Sequence, residues 1–177
     1  MIYTTRIARR TTKLATLSLV FFTASGCGGD SPLAPGVGSG SVTASGAVTA
    51  SGSGVAIFQS ISSGGSSLFQ IVIAPVSTTA TTWELQIASY TGRPATGTYT
   101  LGPLSASSTN PTANFYYTSG GNLRSFNSTS GQLVITSSSA SEVRGTFTFT
   151  ATDLGGASSV TAHGSFTAPC APGIACL

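Results

Sequence analysis

Few residues in this chain can do acid, base or nucleophilic chemistry: one histidine, His163, four acids, Asp30, Glu84, Glu142 and Asp153, and three cysteines, Cys27, Cys170 and Cys176. His163 is the one side chain whose ordinary pKa lies near neutrality, which makes it the natural general base. Asp153 is its best acidic neighbour in sequence. In the hairpin read below, that carboxylate falls on the opposite face and about three residues along the strand, which builds neither a His/Asp pair nor a shared metal site. Glu84 and Glu142 could serve as paired glycosidase carboxylates only at a separation of roughly 5 to 10 Å, and nothing in the sequence places them together. Catalysis needs several convergent polar groups. The expectation is a protein that is not an enzyme, with no catalytic residue, metal site or cofactor. Asn127 begins an Asn-Ser-Thr triplet, which matches a glycosylation acceptor and by itself assigns nothing.

The cysteines separate by position. Residues 1–13 carry Arg6, Arg9, Arg10 and Lys13 without an acid, residues 14–22 (LATLSLVFF) are apolar, and Ala24, Ser25 and Gly26 stand before Cys27. This is the order of a secretory signal. Its apolar run is far short of the roughly 20 residues a membrane-spanning helix needs. The segment resembles the lipobox of bacterial lipoproteins, in which cleavage precedes a cysteine that then carries lipid, although Ala24 stands where such boxes usually have leucine. Arg9 and Arg10 also resemble a twin-arginine signal, from which Thr12 departs. The expectation is a signal peptide over 1–26 and lipidation at Cys27, against an ordinary secretory cut that leaves Cys27 a free thiol. Cys170 and Cys176 then remain as an even pair in an oxidising compartment, and a disulfide between them is expected.

Charge excludes one class of partner. Without the first 26 residues the chain has Arg93, Arg124 and Arg144 against four acids, a net charge of −1, so the basic character of the whole belongs to the signal. A nucleic-acid surface needs a basic stripe, and none remains. Residues 27–177 are enough for one core. Lysine is absent after Lys13, while serine, threonine, glycine and alanine dominate, a composition suited to pleated surfaces rather than helices.

Residues 28–41 (GGDSPLAPGVGSGS) read as a flexible tether. The paired hexapeptides VTASGA (42–47) and VTASGS (48–53) carry it into a first strand. The expected division is a lipidated tether over 27–41 and a single β domain over 42–177. From residue 55 onward apolar and polar residues alternate between turn-forming clusters. The pattern predicts strands over 55–61, 67–74, 82–90, 97–101, 114–118, 123–127, 132–137, 142–152 and 159–168. About nine or ten short antiparallel strands make an all-β sandwich or closed barrel.

Alternation also assigns faces. Trp83 inward puts Glu84 outward; Phe115 and Tyr117 inward put Tyr116 outward, where it could stack on a sugar or anchor a partner. It could equally pack if that strand is covered on both sides. Val143, Gly145, Phe147 and Phe149 share the inner face of one late strand, and Val160, Ala162, Gly164 and Phe166 that of the next. Keeping both faces inward, the expected register sets Phe147 opposite Phe166 and Thr150 opposite His163, with His163 exposed.

GTYTLG (97–102), ANFYY (113–117), SGQLVIT (130–136), VRGTFTFTA (143–151) and HGSFTAP (163–169) occur in this order. Together they resemble an uncharacterised family of lipid-anchored β domains of Gram-negative bacteria, over about residues 67–169. The resemblance implies an address at the outer membrane and brings no catalytic residues. The expected role is that of a non-enzymatic envelope lipoprotein whose β domain is a structural or interaction module, with a protein or glycan partner. The alternative is a carbohydrate-binding or adhesive surface module.

Overall fold

The computed structural model describes residues 37–63, 65–76, 81–103 and 109–176, with no helix among them. Cys27, the signal segment and most of the tether lie outside the described residues. Nine strands follow one another: β1 (Gly38–Gly46), β2 (Ala50–Ser63), β3 (Ser66–Ala74), β4 (Thr81–Ser89), β5 (Gly97–Thr100), β6 (Thr112–Ser119), β7 (Asn122–Ser138), β8 (Glu142–Thr152) and β9 (Ser159–Pro169). β1 starts at Gly38, a few residues inside the segment read as tether.

Of the two architectures the sequence left open, the chain adopts the closed barrel. Eight strands run antiparallel in the order β1-β2-β3-β4-β6-β7-β8-β9, and β9 pairs with β1 to complete the ring. β5 is the extra strand, paired with the lower half of β7 along the edge that β6 occupies higher up. Closure removes the unpaired edges that invite aggregation.

The period-2 pattern explains the layering. Val42, Ala44, Ile71, Ile73, Leu85, Ile87, Phe115, Phe126, Leu133, Phe149 and Ala162 are all buried in one cluster inside the ring. Outward positions on β1, β8 and β9 are mostly serines and threonines, with the Glu142–Arg144 pair at the start of β8 and His163 set between Thr43 and Thr148. Apolar-in and hydroxyl-out is the reverse of the alternation in a membrane-spanning barrel.

The register of β8 and β9 differs from expectation by two residues. Phe147 faces Gly164, Gly145 faces Phe166, and Thr148 faces His163. The faces are kept because a slip of two preserves parity. The reason for the slip is room. A β-carbon on Gly164 would lie 2.7 Å from Cζ of Phe147, and one on Gly145 would lie 2.9 Å from Cζ of Phe166. Each ring therefore fills the space its partner glycine leaves, which an eight-stranded barrel needs because its interior holds little more than its own side chains.

The segments read as separate strands at 123–127 and 132–137 are one strand, β7, carried through register shifts at Ser128/Ser130 and Ile135/Ser137. Gly131, at φ +150°, sits in the first irregularity with the Thr148 carbonyl 2.3 Å from where its β-carbon would be. Buried Ser128 stitches the bulge: its hydroxyl donates to the Gly102 carbonyl (2.6 Å) and accepts from the Ala113 N–H (2.9 Å). The bulge lets a long strand bend around the ring while serving β6, β5 and β8.

Cys170 and Cys176 form the expected disulfide, with α-carbons 6.0 Å apart. It closes a short loop and contributes about 2 kcal/mol through the unfolded chain's entropy. The tail it holds is tied to the barrel by Ala171 N–H to the Phe58 carbonyl (2.8 Å) and Cys170 N–H to the Ser141 carbonyl (2.9 Å).

The glycine–phenylalanine pairing gives a measurable outcome. Gly164→Ala places a methyl 1.9 Å from the Ser41 carbonyl oxygen as well as against Phe147. It is expected to cost about 3 kcal/mol, roughly a 10 °C fall in melting temperature. Gly155→Ala, in the β8–β9 turn, meets only the Asp153 carboxylate at 3.9 Å and should melt with the parent protein. Equal melting of both variants by circular dichroism would refute the packing account.

Candidate functional site: the barrel mouth

The β1–β2, β3–β4, β6–β7 and β8–β9 turns gather at one end of the barrel because consecutive strands alternate in direction. At this end the inward positions of β4, β6 and β7 form one cross-strand row: Trp83 opposite Tyr117, and Tyr117 opposite Arg124. Trp83 is buried, Tyr117 half-buried.

Arg124 is a cation on a core-facing position, two residues before buried Phe126. Three contacts hold it. Nη1 donates to the Ala47 carbonyl (3.1 Å), Nη2 lies 4.0 Å from Oδ2 of Asp153, and the guanidinium sits 4.9 Å from the centre of the Phe126 ring. The first two tie β7 to the β1–β2 and β8–β9 turns; the third is a cation–π contact.

Asp153 shapes the second of those turns. Its Oδ1 accepts from the N–H groups of Ala157 (3.0 Å) and Ser158 (3.3 Å). Desolvation by itself would raise the Asp153 pKa, but hydrogen bonds from Ser158 and Ala157 and the charge of Arg124 outweigh it and hold the carboxyl below its ordinary 3.8.

Beside the row a cavity of about 380 Å³ opens. One wall is the end of the β1–β2 hairpin, with Thr49, Ser51, Gly52 and Ser53; the other is Pro75, Thr81, Trp83 and Tyr117. Gly52 leaves the space open. A β-carbon there would lie 3.9 Å from both Nε1 and Cζ2 of Trp83, so the indole edge bearing the N–H faces the cavity across the glycine. Neither that N–H nor the Tyr117 hydroxyl has a hydrogen-bond partner among the described residues.

The far end is crossed by chain. The segment after β4 is fastened by Ser138 Oγ to the Pro94 carbonyl and by Tyr99 Oη to the Ala95 carbonyl, each at 2.8 Å. Two buried polar atoms have no partner among the described residues, Arg93 Nη1 in that segment and Asn114 Oδ1 on β6. Neither residue lines the mouth cavity.

The residues singled out from sequence fall elsewhere. His163 is exposed on the outer face of β9, while Asp153 serves Arg124. Glu84 is on the outer face of β4, where its Oε1 accepts from Gln86 (2.5 Å) at the end of a chain of amides through Gln70 to Gln59. Glu142 begins β8, two barrel strands beyond β6, and binds Arg144 (2.6 Å). The structure thus brings His163, Glu84 and Glu142 to three different strands. Among the described residues no three His, Cys, Asp or Glu are placed to hold a metal ion. Tyr116 points outward as expected, half-buried and opposite Glu84. Burial first, then the charges of Glu84 and Tyr90, raise its pKa above 10.0. It lies on the other side of the sheet from the mouth.

From sequence, Trp83 and Tyr117 are inward only as conditions for Glu84 and Tyr116 facing out, and nothing there shows that their strands end at the mouth. The usable signal was Arg124, a charge sharing the parity of Phe126, which marks the point where the inner face meets water.

Comparison with known proteins adds one match. A family model described as a domain of unknown function (DUF6252) fits residues 67–168. No curated protein and no solved structure matches. The matched span holds β3 to β9, whereas the β1–β2 hairpin that walls the mouth lies before it.

The Asp153 carboxylate, held by the Ser158 and Ala157 N–H groups and then by Arg124, predicts a pH dependence. A carboxyl with a depressed folded-state pKa contributes stability that is present above the unfolded value, 3.8, and is lost as pH falls through the lower folded value. Asp153→Asn should therefore melt below the parent at neutral pH, and the gap should close as both are acidified below that value. A gap that persists unchanged in acid would refute the assignment.

Proposed function

The chain belongs to the DUF6252 family, and we propose that it is a non-enzymatic envelope lipoprotein that presents a closed β-barrel as an interaction module. The observation that carries this reading is the order of the N-terminus. A basic segment, an apolar run too short to span a membrane, and three small residues lead to Cys27. Gly28, rather than an acid, follows the cysteine, which favours the outer membrane of a Gram-negative cell as the address.

The barrel suits such a role. β1 enters at Gly38, at the end opposite the mouth, since Gly38 faces Ala56 low on β2 while Ala44 faces Ala50 beside the mouth. The partner would be a protein or a glycan rather than nucleic acid, because residues 27–177 carry a net charge of −1.

Lipidation is tested by fractionation and mass. The protein should partition with membranes and resist a salt wash, its mature N-terminus should carry the mass of a diacylglycerol on Cys27, and Cys27→Ser should release it. An unmodified mature N-terminus would sink the lipoprotein reading. Protease treatment of intact cells would then report which side of the outer membrane the barrel occupies.

A further inference from the structure

We infer that the barrel mouth binds a neutral sugar residue in the cavity between the β1–β2 hairpin and the Trp83–Tyr117 edge. The inference rests on reading the barrel as an interaction module and is independent of the lipid anchor.

Four features of the cavity carry it. The first is size and place: about 380 Å³ lies within the range of small-molecule sites, and the mouth of a β-barrel is a usual position for one. The second is the pair of unengaged donors, the indole N–H of Trp83 and the Tyr117 hydroxyl, neither with a partner among the described residues. Neither tip is among the buried atoms that lack a partner, so both open to the cavity, where acceptors of a ligand can take the place of water. The third is the lining. The rings of Pro75, Trp83 and Tyr117 form an apolar side, and Thr49 with the end of the β1–β2 hairpin the other; Ser51 and Ser53, opposite outward Thr43 and Ser41, turn their hydroxyls to the outer face. A pyranose has a face of C–H groups to match the rings and a perimeter of hydroxyls to meet the two donors. The fourth is charge. Among the described residues no lining side chain is ionic, and the nearby cation, Arg124, is already held by Ala47 and Asp153. A charged ligand would find no counter-charge there, so a neutral sugar is favoured over a uronate or a phosphate.

Gly52 makes the site testable without disturbing the core. It is exposed on β2, and its β-carbon would meet Trp83 at an ordinary contact distance of 3.9 Å. Gly52→Val should fold and fill the cavity. Trp83 is the only tryptophan in the chain, so its fluorescence reports on this one place. The full chain in detergent would be titrated with methyl glycosides of glucose, galactose and N-acetylglucosamine and with short soluble oligosaccharides of each.

A saturable change in emission with at least one of these, weakened at least tenfold in Gly52→Val and several-fold in Tyr117→Phe at unchanged melting temperature, is the expected result. Titration with vesicles bearing a neutral glycolipid distinguishes the source. Saturation at lower sugar concentration there than in solution assigns the residue to a lipid head group, and equal or weaker binding assigns it to a free glycan. No saturable change with any sugar probe overturns the inference, as does equal binding by Gly52→Val. A response only to an apolar dye such as anilinonaphthalene sulfonate overturns it in favour of an apolar occupant. None of these failures touches the anchor, which the mass of the mature N-terminus decides separately.

Discussion

An eight-stranded barrel encloses a volume that its own side chains nearly fill, and this chain meets that constraint by setting phenylalanine against glycine. Phe147 lies over Gly164 and Phe166 over Gly145 on the β8–β9 pair. Four inward positions on two strands thus hold two rings rather than four mid-sized side chains. The same economy recurs at Gly40, whose missing β-carbon makes room for Ile73 from β3. If both rings faced each other, the strands would be forced apart at the point where β9 must also reach β1 to complete the ring. Closure, strand order and inner packing all depend on this placement.

Closure in turn separates the two ends. One end is crossed by the segment that leads from β4 to β5 and by the disulfide-held tail, whose backbone amides bond to β2 and to the β7–β8 turn. At the other end Arg124 braces the β1–β2 and β8–β9 turns from a core-facing position. A guanidinium can occupy that position because its long apolar stem packs inward while its head meets a carbonyl, a carboxylate and a ring at the water boundary. The cavity survives beside it because Gly52 contributes no side chain. Gly38, where β1 begins, lies at the end opposite the cavity.

The outer surface carries few charges. On β1, β8 and β9 the outward positions are almost all hydroxyls, while on β2, β3 and β4 an amide chain from Gln59 to Glu84 runs among Ile57, Val72 and Ala88. These hydrogen bonds are part-buried and contribute about 1 kcal/mol each. Their effect is to keep the outward positions of a two-sided sheet polar, so that parity alone decides what enters the core.

Much of the fold was legible in the sequence because strand alternation is a local property: Trp83 inward and Glu84 outward, His163 among threonines, and the pairing of the last two cysteines all follow from spacing and composition. β7 was read as two strands because the glycine and serines at its bulge look like a turn, and only neighbours on both edges keep such a stretch extended. The β8–β9 register was misplaced by two residues because parity permits several registers, and the choice among them is made by volume inside a closed ring. The mouth was invisible for the same kind of reason. Trp83, Tyr117, Arg124 and Gly52 come from four strands, and the sequence by itself determined only that the first two face inward. Their meeting at an open end, with two donors left unengaged, was decided by tertiary structure, because closure fixes which strand ends lie side by side and where the packed interior stops.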